Sequence, residues 1–308
     1  MLKVGLILYS VRDMMAQDPL GTVDAVAKLG YKSIEVCNHN ALQDSGCGFG
    51  IPAPDLKAKL DAYGSRVISA HVEPLLQADL DQVIAYEQIL GNRNIVFPMG
   101  RFATYDDLMG QIEQFNAIGR RLHQEGMQLL YHNHYHEFRT YQGKAILDII
   151  AENTDPDYVG LELDTFWTMR GGRDPVEVLR HFGKRIKLVH QKDFAWDAMV
   201  PINLIGIHPE DREPREGWSL AAFEEAFIPR GPGPHIDRET FQRRHTAAFT
   251  EIGQGIMPIQ SIIDAASAYT DAQYIILEQD STRMENQLVS IERSMESFRR
   301  FRGISWEG

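Results

Sequence analysis

Eight short apolar runs, rich in β-branched residues, recur along the chain. They are KVGLILY from Lys3, SIEVC from Ser33, RVISAH from Arg66, NIVFP from Asn94, MQLLYH from Met127, YVGLELD from Tyr158, RIKLVH from Arg185 and YIILEQD from Tyr274. A strand followed by a helix, repeated about every 30 residues, requires parallel strands with crossover helices. Eight such units predict a single closed (β/α)₈ TIM barrel over residues 1–308, with a doubly wound open sheet as the rival fold.

The segments between these runs carry helix signals. Apolar residues at three- and four-residue spacing mark one helix face, at Leu108, Ile112, Phe115, Ile118 and Leu122. Glycines, which suit the left-handed residue after a helix, precede five of the strands, at Gly30, Gly64, Gly91, Gly126 and Gly183. Thr104, with Asp107 three residues later, is the expected start of one helix.

The regular spacing breaks once, between Arg185 and Tyr274. Most of the excess lies in residues 194–255, a stretch rich in proline, glycine, charge and aromatic side chains that follows strand seven. Because barrel active sites form at this end of the strands, we interpret the stretch as a lid or a partner-binding insertion; the alternative is a surface excursion without a role. Trp196, Trp218 and His235 are candidate substrate contacts within it.

Charge and composition argue against several classes of partner. The chain has 43 acidic and 31 basic residues, a formal net charge of -12, and no basic cluster, so nucleic acid is not an expected partner. The apolar start MLKVGLILYS is too short to span a membrane. Only two cysteines occur, Cys37 and Cys47, without redox or zinc spacing, which favours a reducing cytoplasm.

Ionisable side chains lie at or near the carboxyl ends of six of the predicted strands. They are Glu35, His71, Glu73, His132, His134, Asp164, His190, Lys192 and Glu278. A barrel brings the carboxyl ends of all its strands to one mouth, so these residues are predicted to converge. Such polar density is typical of an active site.

Asp164, His190 and Glu278 are the strongest candidates for a metal site. Two carboxylates and one imidazole suit a single divalent ion, for which we expect Mn²⁺, with Co²⁺, Zn²⁺ or Mg²⁺ as alternatives. Either His132 or Glu137 can supply a fourth ligand, and we favour Glu137. A hydrogen-bonded network without metal is the alternative interpretation.

The stretch YHNHYHEF places His132 and His134 on the same side of strand five. A histidine near neutral pKa can take a proton from a carbon whose acidity a bound metal has raised, so both are candidate bases; orienting a ligand is the alternative role. Lys192 is expected to stabilise a developing oxyanion, or else to form a salt bridge.

Four further residues are assigned to substrate binding. Glu35, His71 and Glu73 lie at strand ends, and Trp167 follows Asp164 closely enough to form an apolar wall for a sugar. Simple packing is the alternative role of Trp167.

YHNHYHEF, ELDTFW, LVHQKDF, EIGQGIMP and IILEQD occur together and in order. On these motifs the chain resembles the xylose isomerase-like TIM barrel superfamily, within it the YHNH-containing branch of the sugar phosphate isomerase/epimerase group. The resemblance covers almost the whole chain outside residues 194–250. It implies one divalent ion held by Glu, Asp, His and Glu from strands five to eight. Asp164, His190 and Glu278 match directly, whereas His132 stands where ketose epimerases carry a glutamate.

The resemblance implies an isomerase or epimerase that removes a proton next to a metal-polarised carbonyl. The expected substrate is an unphosphorylated sugar or keto-sugar, since no glycine-rich phosphate loop is evident after strands seven or eight. A lyase is the alternative, of the inosose dehydratase type or like the catalytic subunit of a 3-keto-C-glycoside deglycosidase; a silent sugar-binding protein and an abasic-DNA endonuclease are lesser ones. A homo-oligomer, or a complex with a small partner subunit, is compatible with each of these predicted functions.

Overall fold

The computed structural model describes residues 1–196 and 248–306, which form a barrel of parallel strands. The strands are β1 Leu2–Ile7, β2 Ser33–Asn38, β3 Arg66–Val72, β4 Asn94–Phe97, β5 Gln128–His132, β6 Val159–Asp164, β7 Ile186–Gln191 and β8 Tyr274–Leu277. Each strand pairs with the next, and β8 pairs with β1 through Val4 opposite Ile275 and Leu6 opposite Leu277. The predicted closed (β/α)₈ barrel is thereby confirmed.

A helix follows each strand. These helices are α1 Pro19–Leu29, α2 Ala53–Asp61, α3 Leu80–Leu90, α4 Tyr105–Gln124, α5 Ile146–Asn153, α6 Pro175–Phe182, α7 Ile259–Tyr269 and α8 Gln287–Phe298. The Thr104 hydroxyl accepts from Asp107 N, and the Asp107 carboxylate accepts from Thr104 N, each over 3.1 Å. This capping box fixes the start of α4, as the sequence predicted. All five predicted glycines have positive φ.

Two apolar layers stabilise the barrel. The larger lies between the strands and the helices and buries Leu108, Ile112, Phe115 and Leu122 of α4. The smaller lies inside the barrel and is called here the inner apolar ring: Ile7, Cys37, Ile68, Val96, Leu130, Leu188 and Ile276. Because side chains alternate along a strand, the residues two positions after Leu130 and Leu188 point into the same interior, nearer the mouth.

Strand β8 is shorter than the apolar run predicted. It ends at Leu277, so Glu278, Gln279 and Asp280 belong to the loop that follows. Gln279 N donates to the Ser10 hydroxyl over 3.0 Å rather than to a neighbouring strand. This turn of the chain places the ionisable side chains at the mouth.

The two ends of the predicted insertion are anchored to the barrel. Phe194 and Phe249 pair in a short antiparallel ladder, and both are buried. The Asp193 carboxylate accepts hydrogen bonds from the backbone N–H of Gly253, Gly255 and Met257 over 2.8–3.0 Å. Residues 197–247, including Trp218 and His235, lie outside the described residues.

Both cysteines of the chain lie within the described residues. Cys37 and Cys47 are both buried and form no disulfide. Among the residues that the structure describes, no helix combines the length and apolarity needed to cross a bilayer.

Candidate metal centre and active site

Four predicted site residues converge at the mouth of the barrel. His132 ends β5, Asp164 ends β6, His190 lies in β7 and Glu278 follows β8. Each offers one ligand atom, and the four atoms lie within 4.8 Å of one another in a buried setting. We call this group the mouth quartet.

Asp164 has one carboxylate oxygen that is used and one that is not. Oδ1 accepts from Trp167 N over 2.7 Å and so caps the short helix Thr165–Arg170. Oδ2 is buried without a hydrogen bond; His132 Nε2 lies 3.9 Å away and Lys192 Nζ 3.6 Å away. Burial raises the pKa of Asp164 to about 7, and Lys192 offsets only part of that effect.

Lys192 is held as a buried cation beside the quartet. Its Nζ lies 2.7 Å from Asp280 Oδ1 and 2.8 Å from Glu278 Oε2. Burial alone would lower the pKa of Lys192, but Asp280, Glu278 and Asp164 raise it well above its usual range. Three carboxylates therefore face one ammonium group.

This donor set fits a divalent cation. Asp164 Oδ2 is a buried carboxylate oxygen that lacks a hydrogen-bond partner, and the two carboxylates and two imidazoles of the quartet match the ligands of Mn²⁺, Co²⁺ or Zn²⁺. A cation would also balance the acidic excess around Lys192, since unpaired charges are costly to bury. The quartet can therefore hold a divalent ion.

A second polar layer lies directly beneath the quartet. Glu162 Oε2 is 2.7 Å from His71 Nε2, 3.0 Å from His132 Nδ1 and 3.3 Å from His190 Nε2. Glu35 Oε2 lies 2.6 Å from His190 Nε2 and 3.5 Å from His71 Nε2. We call Glu35, His71 and Glu162 the lower layer.

The lower layer is strongly polarised. Burial would raise the pKa of Glu162, yet His190 and His71 hold it well below its usual range. Burial would lower the pKa of His190, yet Glu162 and Glu35 raise it well above the ordinary value. In contrast, burial lowers the pKa of His132 to about 3. The pKa shifts of His190 and His132 thus have opposite directions, and His190 contacts Glu35 and Glu278 in addition to Glu162.

His134 and Trp167 form one wall of the mouth. Their rings are 5.5 Å apart, and His134 Nδ1 and Trp167 Nε1 are both buried without a hydrogen bond. Enclosure lowers the pKa of His134 well below its usual value, and the neighbouring His132 and His136 add to this effect. Lys192 Nζ lies 5.3 Å from the centre of the Trp167 ring. The wall thus holds two buried polar atoms that have no hydrogen-bond partner.

The model of the xylose isomerase-like TIM barrel family matches residues 23–301. The chain belongs to this family. Family membership agrees with the resemblance seen in the motifs, while the YHNH branch stays a prediction.

An inosose dehydratase of Geobacillus kaustophilus (strain HTA426) is 29% identical over 213 residues, which cover 61% of this chain and 65% of that protein. The match thus spans just under two thirds of the curated relative.

Two solved structures share the fold. A sugar phosphate isomerase/epimerase from Parabacteroides distasonis superposes with a TM-score of 0.72 and 22% identity, covering 99% of this chain and 96% of that one. The probable 3-DHS dehydratase from Bacillus anthracis superposes with a TM-score of 0.63 and 14% identity, covering 97% of this chain and 99% of that one. At these identities the likeness concerns the xylose isomerase-like barrel itself.

The structure does not bring Glu137, the favoured fourth ligand, into the mouth quartet; His132 lies there instead. Both Glu137 oxygens are used elsewhere: Oε1 accepts from the Tyr131 hydroxyl over 2.8 Å, and Oε2 accepts from His134 N over 2.9 Å. Glu137 therefore shapes the loop after β5 and fixes the backbone of His134.

The residues assigned to substrate binding fall into three places. Glu35 and His71 lie in the lower layer, enclosed by histidines and carboxylates. Trp167 lies in the wall. Glu73 is at the rim, with its carboxylate 3.9 Å from Arg101 Nη2 and 4.0 Å from His39 Nε2. Trp196 is 74% exposed.

Sequence reasoning missed two members of this barrel's site, Glu162 and Asp280. Glu162 lies two residues before Asp164 in the same strand, so strand alternation alone would have pointed it into the barrel. Asp280 lies two residues after Glu278, and its role appears only when Lys192 reaches it across the mouth.

Proposed function

We propose that this protein is a divalent-metal-dependent enzyme that removes a proton from a carbon next to the carbonyl of an unphosphorylated sugar or keto-sugar. The observation that carries the proposal is the mouth quartet, with the unpartnered Oδ2 of Asp164. We assign the metal to His132, Asp164, His190 and Glu278. When bound there, a divalent ion supplies Lewis acidity that makes a C–H bond beside a carbonyl more acidic.

His134 is the proposed base. Its low pKa keeps the imidazole neutral, so a nitrogen lone pair is available to accept a proton. The same low pKa makes His134 a weaker base than the near-neutral histidine that the sequence predicted, so its role depends on the C–H acidity that the bound ion would supply. Its backbone is held by Glu137 and its ring by the wall with Trp167. Lys192, a fixed cation beside the quartet, would stabilise negative charge that develops on the substrate oxygen.

The proposed substrate class follows from the charge and shape of the mouth. Asp280, a carboxylate at the mouth that is not an assigned metal ligand, would repel a phosphate placed near it, which supports an unphosphorylated substrate. The apolar face of Trp167, next to unused polar atoms, suits the carbon face and hydroxyls of a sugar ring or a cyclic polyol ketone. The name of the curated relative, an inosose dehydratase, agrees with this class.

Two outcomes can follow removal of the proton. Loss of water from the neighbouring carbon is the better supported, because the curated relative is a dehydratase. Isomerisation or epimerisation, which the sequence favoured, is the second candidate. In that reaction His134 alone would take the proton from one carbon and return it to the next, because His132 is assigned to the metal.

The test is carbon–hydrogen exchange in D₂O with Mn²⁺, using inosose and a panel of keto-sugars, followed by NMR and mass spectrometry. We expect deuterium incorporation beside the carbonyl, with loss of water for the dehydratase reaction and an unchanged formula for an isomerase. His134→Gln should slow exchange by about 10²–10⁴-fold, the usual contribution of a general base, while metal content is retained. Normal exchange in His134→Gln would assign the base elsewhere, and no exchange with any substrate of the panel would count against the proposal.

A further inference from the structure

Both imidazoles of the mouth quartet are contacted on their far side by a buried carboxylate. His132 turns Nδ1 toward Glu162, at 3.0 Å, and Nε2 toward Asp164, at 3.9 Å. His190 turns Nε2 toward Glu35, at 2.6 Å, and Nδ1 toward Glu278, at 2.8 Å. Each ring therefore has one nitrogen in the lower layer and one in the quartet.

This arrangement dictates where the protons lie. A carboxylate oxygen only accepts hydrogen bonds, so the nitrogens next to it must carry hydrogen. Hydrogen on His132 Nδ1 leaves Nε2, which faces the quartet, free to be a ligand. Both nitrogens of His190 lie next to a carboxylate, so without an ion this ring carries both hydrogens. The hydrogen on Nδ1 points at Glu278, itself a member of the quartet, so it is the one that a bound ion would displace, while Glu35 retains the hydrogen on Nε2. A neutral imidazole binds a metal through the nitrogen that lacks hydrogen.

The same geometry disfavours a second metal in the lower layer, although His71, His132, Glu162 and His190 also lie within 4.8 Å of one another. Filling both places would require His132 and His190 each to bind an ion through both ring nitrogens, and so to lose both ring protons. In addition, three imidazole nitrogens converge on the single oxygen Glu162 Oε2 at hydrogen-bond or near-hydrogen-bond distances.

We propose that Glu35 and Glu162 are positioning residues, which fix the tautomer and ring direction of His190 and His132 so that both imidazoles present their lone pairs to one divalent ion. This inference rests on the metal centre of the proposed function. His71, which contacts both carboxylates, holds the Glu162 oxygen between the two ligand rings. Carboxylates that orient metal-binding histidines typically change metal affinity 10–100-fold when removed.

The decisive variant is Glu162→Gln, which keeps the size of the side chain but replaces an acceptor with an amide. We expect Mn²⁺ affinity, measured from the free-ion EPR signal, to fall about 10–100-fold, with one equivalent still bound at saturation. In Glu35→Gln the Mn²⁺ affinity should fall less, because His190 keeps its contact with Glu162. Glu87→Gln is the matched control, since Glu87 is equally buried but lies in α3 outside the site.

A measurement on the wild-type protein removes any dependence on how the variant folds. In the Zn²⁺-loaded, ¹⁵N-histidine-labelled protein, long-range ¹H–¹⁵N spectra should show His132 protonated at Nδ1 and metal-bound at Nε2, with its signals assigned from His132→Gln. The opposite tautomer overturns the proposal.

The outcomes separate this inference from the proposed function. Mn²⁺ uptake by wild type with unchanged affinity in Glu162→Gln overturns the inference alone. Two equivalents in wild type, one of them lost in Glu162→Gln, also overturn it, because the lower layer would then hold an ion itself. No Mn²⁺ uptake by wild type overturns the metal centre and this inference together.

Discussion

The inner apolar ring and the mouth quartet lie in the same barrel, only two residues apart along three strands. Leu130 precedes His132, Leu188 precedes His190, and Ile276 precedes Glu278. Each pair points to the same interior, yet one level is entirely apolar and the next is entirely ionisable. A step of two residues thus separates a level that stabilises the fold from a level that can perform chemistry.

The two levels contribute to folding with opposite sign. Each fully buried leucine or isoleucine of the ring stabilises the fold by roughly 1.5–3 kcal/mol. Burying a charged group costs several kcal/mol unless it is paired, and removing one partner of such a pair is more costly still. The ring and the outer core therefore offset the cost of the mouth, which explains how so many ionisable side chains remain buried.

The largest expected effect is the loss of the metal centre in Glu278→Ala. This change removes a ligand and leaves His190 and Lys192 without one of their carboxylates. We expect bound metal to fall from about one equivalent to none, and turnover to fall by roughly 10³-fold or more, since Lewis-acid stabilisation is worth several kcal/mol. Elemental analysis by mass spectrometry and the D₂O exchange assay measure the two quantities.

Asp61→Ala is the control for that variant. Asp61 is an exposed carboxylate of α2 that pairs only with Lys57 among the described ion pairs. The Asp61→Ala variant should keep its bound metal and its turnover. Normal turnover in Glu278→Ala would remove Glu278 from the assigned site.

The inner apolar ring should respond in the reverse manner. Leu188→Ala is expected to lower the free energy of unfolding by roughly 2–5 kcal/mol, because it leaves a cavity in the barrel interior. Metal stoichiometry at saturation should be unchanged, since Leu188 contributes no ligand atom. Urea unfolding gives the first quantity and elemental analysis the second.

Ile89→Ala, on the exposed side of α3, is the matched apolar control and should lower the free energy of unfolding far less. If Leu188→Ala kept full stability but lost its metal, the division between a stabilising level and a chemical level would fail.

The fold was predictable because its signals are local. Glycines such as Gly30 and Gly91 mark helix ends by their own conformation, and the capping box of Thr104 involves only residues three apart. The end of β8 was not predictable in this way. It depends on Ser10, a residue at the other end of the chain, which takes the hydrogen bond of Gln279 N.

The site was predictable where strand ends alone decide it. Asp164, His190 and Glu278 converge because parallel strands bring their carboxyl ends to one mouth. The position of Glu137 depends instead on two contacts, with the Tyr131 hydroxyl and with the backbone of His134, that no spacing rule contains. The role of Glu162 was missed because it lies inside an apolar run rather than at its end.

Glu87 sharpens the comparison, because it is a buried carboxyl without imidazole or ammonium neighbours among its hydrogen-bond partners. Its Oε2 accepts from Asn92 Nδ2 over 2.8 Å, while Oε1 has no partner. Burial raises the pKa of Glu87 to about 7, whereas Glu162, surrounded by histidines, has a lowered pKa. The direction in which the pKa of a buried carboxyl moves thus depends on its neighbours as well as on its burial.

The smallest expected effect is a pH-dependent gain of stability in Glu87→Gln. The folded state of wild type holds a proton on Glu87 up to about pH 7, while the unfolded state releases it near the ordinary value of 4.5. The unfolded state therefore binds fewer protons in this window, so this group makes stability fall as pH rises from about 4.5 to 7. Glutamine removes that loss: urea unfolding should show little difference from wild type at pH 4.5 and a gain of roughly 1–3 kcal/mol at pH 8. Glu125→Gln, in an exposed pair with Arg121, is the surface control for this variant. An equal difference between Glu87→Gln and wild type at both pH values would mean that Glu87 is ionised in the fold, and that burial without a cation does not keep a carboxyl neutral here.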